Sequence, residues 1–178
     1  GPSSSHTVGP MRAAAFFREN CIAKGIVPER VEVELKGSLS ATGHGHLTDH
    51  AVLAGLHGWE PETVDLDKFH ALPQTLAKDP RVPWGTGFAT VKPDAVRFLR
   101  YHEYKHETLP HPNTLRLRAM RGTDVLLEET WCSVGGGFVR RASDPVSPPA
   151  PEPPVYPFHD ARSLVQRAKE LKGTFGDV

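Results

Sequence analysis

The chain has only two cysteines among its 178 residues, no net charge and no long apolar run. Cys21 and Cys132 lie far apart and form no disulfide framework, and such scarcity is typical of a reducing cytoplasm. Two remote thiols also cannot hold an iron–sulfur cluster, which takes several cysteine ligands. With 21 Lys and Arg against 21 Asp and Glu, the composition does not indicate binding to nucleic acid or to an anionic membrane surface.

No apolar run approaches the roughly 20 residues that span a bilayer, and no signal-peptide pattern opens the chain. We therefore expect a cytoplasmic protein without a membrane segment. The length suits one domain, or one domain with a tail. Because Gly1 lies inside what looks like a motif, we also expect native residues to precede it.

The order of helical and strand patterns predicts one α/β (α+β) domain over residues 1–144, with a mixed or antiparallel sheet packed by helices. A Pro-rich linker follows over 145–158, and a last helical segment covers 159–178. We predict helices at 11–21, from about 46 to 57 and, weakened by an internal proline, at 65–78. Strands are predicted at 31–35, 96–104, 114–120 and 125–133, with a hairpin turn at 121–124, and residues 79–93 are taken as irregular.

A run of hydroxyls and one imidazole precedes the first predicted helix: Ser3, Ser4, Ser5, His6 and Thr7. Pro10 has the fixed φ that suits a first helical position. Side chains at that place face the unpaired N–H groups and the positive end of the helix dipole, which favours a bound carboxylate or phosphate. One Ser or Thr is enough to cap a helix, so the whole run indicates an anion-binding loop.

Three histidines at 44, 46 and 50 invite a metal interpretation, because residues four apart share one helix face. The position between them that a zinc protease fills with Glu holds Leu47, which argues against that interpretation. Gly43 and Gly45 instead allow close backbone approach to a ligand at a loop-to-helix junction. There His46 can act as an acid or a base, oriented by Asp49 or by a backbone group.

The plain alternative for this junction is an exposed histidine at a helix start, with Thr48 and Asp49 serving only as capping residues. Two further segments are weaker candidates for a site. His111 and Asn113 precede a strand, where Asn offers a donor and an acceptor, although the same residues also make a turn. Ser133 begins a triple-glycine stretch that is either an anion loop or a bend at a strand end.

Four stretches of this sequence together resemble the β domain of bacterial iron–sulfur-dependent L-serine dehydratases, also called L-serine ammonia-lyases. The resemblance covers nearly the whole chain, apart from the proline-rich segment. The stretches are Gly1-Pro-Ser-Ser-Ser-His-Thr-Val-Gly-Pro-Met11, Gly37-Ser-Leu-x-x-Thr-Gly-x-Gly-His-x-Thr-Asp49, His111-x-Asn113 and Ser133-Val-Gly-Gly-Gly-Phe138. The same β domain resembles the allosteric substrate-binding domain of some phosphoglycerate dehydrogenases, which implies that kind of fold.

The resemblance implies conversion of L-serine to pyruvate and ammonia at a [4Fe–4S] cluster. In the family the cluster is held by cysteines of a separate α domain, and its open iron takes the serine hydroxyl. No cysteines that match those cluster ligands occur in this chain. We therefore expect it to need that α domain as a partner and to be inactive alone.

Carried over residue by residue, the resemblance assigns two kinds of role. It implies acid/base or catalytic roles for His46, His111 and Ser133, with His46 as the best candidate. It places the substrate among Ser4, Ser5, His6, Thr7, Thr48, Asp49 and Asn113. The substrate carboxylate falls to the first four of these, Ser4 to Thr7. We also expect a homodimer. The competing hypothesis is a non-catalytic domain that binds a small carboxylate for allosteric control or dimerisation.

Overall fold

The computed structural model describes residues 3–144, which combine helices with a seven-stranded mixed sheet. A π-helical turn, Ser4–Val8, leads directly into the first helix. The helices are α1 Gly9–Ala23, α2 Ser38–Thr42, α3 Thr48–Leu56, α4 Leu66–Lys78 and α5 Tyr101–Tyr104. The strands are β1 Arg30–Gly37, β2 Arg81–Trp84, β3 Gly87–Thr90, β4 Val96–Phe98, β5 Asn113–Arg121, β6 Asp124–Gly135 and β7 Phe138–Arg141.

The sheet has the strand order β2-β3-β1-β5-β6-β7, and β4 also pairs with β1. Strands β3 and β4 run parallel to β1, whereas the other neighbours are antiparallel. β3 meets β1 at Arg30 and β4 meets it at Val33–Leu35, so the two short strands share one edge of β1. The mixed α/β class predicted from the sequence is confirmed.

Strand β1 shows the alternation that the sequence predicts. Val31, Val33 and Leu35 are at most 1% exposed and contribute to the core. Glu32 and Glu34 lie on the opposite face, where Glu34 pairs with Arg116 of β5. One face of the sheet is therefore apolar and covered by helices, and the other carries charged pairs.

Helices α1 and α3 pack against each other at very short range. A Cβ added to Gly55 would lie 2.2 Å from the backbone oxygen of Met11 and 2.8 Å from the Cβ of Ala14. Ala51 and Ala54 of α3 are fully buried beside them. Small residues permit this approach, which fixes the position of the N-terminal turn of α1 relative to the residues just before α3.

Three segments differ from the sequence prediction. Helix α4 runs unbroken through Pro73, because Asp65 caps it and its buried stripe of Phe69, Leu72 and Leu76 compensates for the lost backbone hydrogen bond. The segment taken as irregular contains the hairpin β2–β3. Residues 96–104 form a strand only to Phe98 and then the short helix α5.

The predicted linker at 145–158 and the last helical segment at 159–178 lie outside the described residues. Within residues 3–144, no helix combines the length and the apolar character that crossing a bilayer would require. The predicted turn at 121–124 is confirmed as the connection of β5 to β6. The triple-glycine stretch is confirmed as a break between β6 and β7, since Gly135, Gly136 and Gly137 all have positive φ.

Candidate functional site

The hydroxyl-rich run is itself helical, and the helix begins earlier than the sequence predicts. The backbone N–H groups of Thr7 and Val8 donate to the carbonyl of Ser3 at 3.0 and 3.3 Å, and the Ser3 side chain accepts from the N–H of His6 at 3.4 Å. Pro10 therefore lies one turn inside the continuous helical stretch and does not open it. The N–H groups without intrahelical partners are those of the first turn, at Ser4 and Ser5.

His6 is hydrogen-bonded through both ring nitrogens. Nδ1 lies 2.8 Å from the Ser5 hydroxyl, and Nε2 lies 3.0 Å from the hydroxyls of both Ser38 and Thr42. The Thr42 hydroxyl donates its hydrogen to the Ser38 carbonyl at 2.8 Å, so toward His6 it can only accept. Nε2 therefore carries the hydrogen, and Nδ1 accepts from Ser5.

This arrangement fits a neutral imidazole, and the local electrostatics act in the same direction. Burial is the main cause that lowers the pKa of His6 below its ordinary value of 6.5, and the neighbouring His46 lowers it further. An interaction with the Ser38 backbone opposes the shift without cancelling it. Near neutral pH His6 therefore acts as a fixed hydrogen-bond donor and acceptor.

His46 occupies the 3₁₀ turn Gly43–His46, beside the His6 ring, with ring centroids 4.9 Å apart. It is held through its backbone, because its carbonyl accepts from the Thr7 hydroxyl at 2.7 Å. Its ring is exposed and makes no hydrogen bond to any of the described residues. The turn ends on Leu47 at φ 56°, a backbone conformation that residues other than Gly rarely adopt.

Thr48 and Asp49 have partners that the sequence did not indicate. Thr48 is fully buried, and its hydroxyl donates to the His6 carbonyl at 2.5 Å. The Asp49 carboxylate accepts from the His50 N–H at 2.9 Å and lies 3.0 Å from the His50 ring. Among the described residues Asp49 therefore orients His50, and His46 is fixed by the backbone contact with Thr7.

Asn113 and Ser133 lie on neighbouring strands at the same end of the sheet. The Asn113 amide donates to the Ser133 carbonyl at 3.3 Å, and the Asn113 N–H donates to His111 Nδ1 at 3.0 Å. Asn113 Oδ1 and Ser133 Oγ are buried, and neither has a hydrogen-bond partner among the described residues. An unsatisfied buried polar atom costs about 1–3 kcal/mol, so such atoms commonly mark functional sites.

The predicted segments thus meet at one end of the sheet. A Cβ on Gly9, the first residue of α1, would lie 2.1 Å from Ser133 Oγ, which links the helical turn to β6. The N–H of Ser38 donates to the carbonyl of Pro112 at 2.8 Å, which links the His6 partner to the His111–Asn113 segment. The remaining predicted residue, Ser4, is exposed on the same turn.

Sequence reasoning missed Ser38 and Thr42, although both fall inside the Gly37–Asp49 stretch. Residues Ser38–Thr42, which precede the helix predicted from about residue 46, form one helical turn that aims two hydroxyls at His6. The available signal was the repeated hydroxyls after Gly37. Their partner could not be found from the sequence, because it lies 32 residues earlier in the chain.

Neither cysteine fits the role of a cluster ligand. Cys21 and Cys132 are both buried, and burial raises the pKa of the Cys21 thiol to about 12 and also raises that of Cys132. Metal ligation requires thiolates. Within the part of the chain that the structure describes, no group of three or more His, Cys, Asp or Glu side chains is placed to hold a metal ion.

Fold and site together define an α/β domain in which imidazoles and hydroxyls from separate segments converge at one end of a mixed sheet. Residues 1–144 match the sequence model of the family described as serine dehydratase beta chain. The chain therefore belongs to the serine dehydratase β-chain family.

Curated relatives agree with this assignment. The chain is 37% identical to L-serine dehydratase 1 of Escherichia coli over 96% of its own length and 38% of the relative. It is 40% identical to an L-serine dehydratase of Streptomyces coelicolor over 78% of its length and 31% of the relative. A Helicobacter pylori L-serine dehydratase is 36% identical over the whole chain and 39% of the relative. The chain thus spans less than two fifths of the length of these relatives.

Proposed function

We propose that this chain is the β portion of an L-serine dehydratase, which acts with a separate portion to convert L-serine to pyruvate and ammonia. The observation that carries the proposal is the convergence of the site. His6, held by hydroxyls from two segments, lies beside His46 and on the same end of the sheet as Asn113 and Ser133. The names of the relatives supply the substrate.

The substrate carboxylate binds, in this proposal, between the turn Ser4–Val8 and helix α2. The first-turn N–H groups of Ser4 and Ser5 are available donors. The Ser38 hydroxyl accepts from His6 Nε2 and keeps its own hydrogen for a ligand. The hydroxyl hydrogens of Thr7 and Thr48 are already donated to backbone carbonyls, so these two residues support the pocket and offer only lone pairs to a ligand.

His46 is the proposed acid/base residue. Its ring is exposed beside the pocket, whereas both nitrogens of His6 are engaged by hydroxyls. Because the two rings repel each other's charge, a proton taken up at His46 favours a neutral His6. The pair can therefore accept a single proton from the substrate α-carbon, at His46, while His6 keeps its hydrogen bonds to the hydroxyls of helix α2.

Asn113 and Ser133 are the proposed contacts for the remaining polar groups of the substrate. Asn113 Oδ1 is an acceptor and suits an ammonium group, and the Ser133 hydroxyl can donate or accept. A ligand that pairs with both atoms would relieve the cost of leaving them unsatisfied. His111 is fixed nearby through its contact with the Asn113 backbone.

The [4Fe–4S] cluster implied by the resemblance does not fit the two buried thiols of this chain. We propose that a separate α portion supplies it. A cytoplasmic location and a homodimer belong to the same proposal. The likeness to the phosphoglycerate dehydrogenase domain stays a prediction about fold.

The test pairs this chain in trans with a cluster-bearing α portion, reconstituted anaerobically with iron and sulfide, and measures pyruvate formed from L-serine. We expect pyruvate from the pair and none from the chain alone. L-serine should also shift the His6 ring resonances of the chain in NMR spectra. Pyruvate formed by the chain alone would contradict the proposal that activity requires a separate α portion. Binding of L-serine without turnover by the pair would favour the non-catalytic allosteric domain instead.

A further inference from the structure

We propose that Tyr104 and Glu107 are positioning residues, which fix helix α2 and thereby hold the Ser38 hydroxyl against His6. The inference rests on the proposed function for its consequence in catalysis. It concerns two residues that lie outside the pocket and outside the motifs. Residues 104–112, which end inside the His111–Asn113 motif, form what we call the anchoring segment.

Gly37 forms the junction between β1 and α2. Gly37 has φ 63°, which favours glycine, and a Cβ there would lie 2.1 Å from the carbonyl oxygen of Pro112. The next residue, Ser38, donates its N–H to that same carbonyl at 2.8 Å. The direction in which α2 leaves the strand is therefore set by how the anchoring segment meets Gly37.

Tyr104 makes a side-chain contact at the same junction. The N–H of Gly37 donates to the phenol oxygen of Tyr104 at 3.1 Å. Tyr104 is 8% exposed, so it is a largely buried residue whose position is set by packing. The junction is thus held from one side by Tyr104 and from the other by Pro112.

Ion pairs hold the anchoring segment itself in place. Glu107 pairs with Lys36 at 2.5 Å and with Arg116 at 3.2 Å, which ties the segment to β1 and β5. Lys36 is 3% exposed, and these pairs lower the pKa of Glu107, with the Lys36 hydrogen bond as the main cause. A buried ammonium needs its counter-charge, so this pair resists displacement.

A change in the position of α2 would affect the pocket through His6. Ser38 Oγ and Thr42 Oγ1 both lie 3.0 Å from His6 Nε2, and both belong to α2. A displaced α2 would weaken both contacts, and the preference of His6 for one tautomer would weaken with them. The same displacement would move the Ser38 hydroxyl away from a bound carboxylate.

The test is Tyr104→Phe, with Tyr101→Phe as the matched control because Tyr101 lies one helical turn away, edge-on to Tyr104, and is 72% exposed. In ¹⁵N NMR spectra of the chain, we expect the two His6 ring nitrogen shifts to move toward each other in Tyr104→Phe only. In the assembled enzyme, KM for L-serine should rise roughly three- to tenfold, the range expected for one hydrogen bond, with a smaller change in kcat.

Unchanged His6 shifts in a folded Tyr104→Phe chain would overturn the inference. If that variant does not fold, Glu107→Gln replaces it, since the amide keeps the shape of the side chain and removes its charge, and the same His6 shifts are expected to move. A loss of stability with unchanged His6 shifts would mean a purely structural role. Because the NMR measurement needs no substrate, moved shifts in a pair that makes no pyruvate would refute only the proposed function.

Discussion

The turns that carry His6 and His46 differ in almost every physical respect, although the two rings lie 4.9 Å apart. The His6 turn is continuous with a 15-residue helix and packs against β6. The His46 turn is a short 3₁₀ segment with exposed side chains, and a Cβ on its Gly45 would meet nothing within 4 Å. One imidazole is built into the fold, and the other is presented to solvent.

This difference separates two chemical tasks. A ring whose nitrogens are both hydrogen-bonded holds the Ser38 hydroxyl in place for a ligand, and a lowered pKa keeps that ring neutral. A ring without such bonds among the described residues can exchange protons and move toward a substrate. Neighbouring histidines in one pocket therefore need not share a role, and their hydrogen bonds distinguish them better than their positions in the sequence.

Replacing the exposed ring should have the largest effect. In the assembled enzyme, His46→Ala should lower kcat for L-serine by about 10²–10⁴-fold, the usual contribution of a positioned acid or base. KM should change less, because the carboxylate contacts lie on the His6 side. The measurement is steady-state pyruvate formation by enzyme with matched cluster content.

The control is His70→Ala, which removes an exposed imidazole from α4, away from the converging segments. It should retain wild-type kcat. Full activity of His46→Ala would remove the acid/base assignment, and His111 would become the next residue to test.

The contrast in packing gives a matched pair of glycine variants. Gly9→Ala places a Cβ 2.1 Å from Ser133 Oγ and 3.0 Å from Ser133 Cβ, so we expect a loss of about 1–3 kcal/mol in the free energy of unfolding, as for other overpacked sites. Gly45→Ala should be neutral or slightly stabilising, since the added methyl group has free space and alanine restricts the unfolded chain. Urea denaturation of both variants measures the difference, and equal stabilities would contradict the contrast.

Local patterns predicted most of the elements that build the site. The strand β1, the hairpin between β5 and β6 and the helix α3 depend on residues close in sequence, and all three are confirmed. The start of the first helix was predicted wrongly. Pro10 favours the first position of a helix, but Ser3 caps a turn upstream of it. The sequence contains both helix-start signals and does not show which of them the chain uses.

The partners within the site could not be predicted in this way. Asp49 had two histidines within reach, and the backbone geometry selects His50. Ser38 meets His6 only because Gly37 turns the chain against Pro112, a contact across 75 residues of sequence. Such choices depend on tertiary packing, whereas residue type and spacing indicate only which groups could take part.

Removing the His6 ring should have the smallest effect on stability, and one that depends on pH. Because the folded-state pKa of His6 is lowered, the unfolded chain binds a proton there more readily than the folded chain does. Neutral His6 therefore stabilises the fold above its ordinary pKa of 6.5, and this contribution is lost as the pH falls from there through the lowered value.

The comparison of wild type with His6→Gln isolates this contribution. His57, whose pKa burial also lowers, is present in both proteins and cancels. We expect wild type to lose more unfolding free energy than His6→Gln between about pH 7.5 and pH 5.5, a range that brackets the ordinary titration of histidine. Urea titrations across that range measure it, with the exposed His70→Gln as the control that keeps the wild-type slope. Parallel pH profiles for wild type and His6→Gln would mean that folding does not lower the pKa of His6. The assignment of different roles to the two rings would then fail.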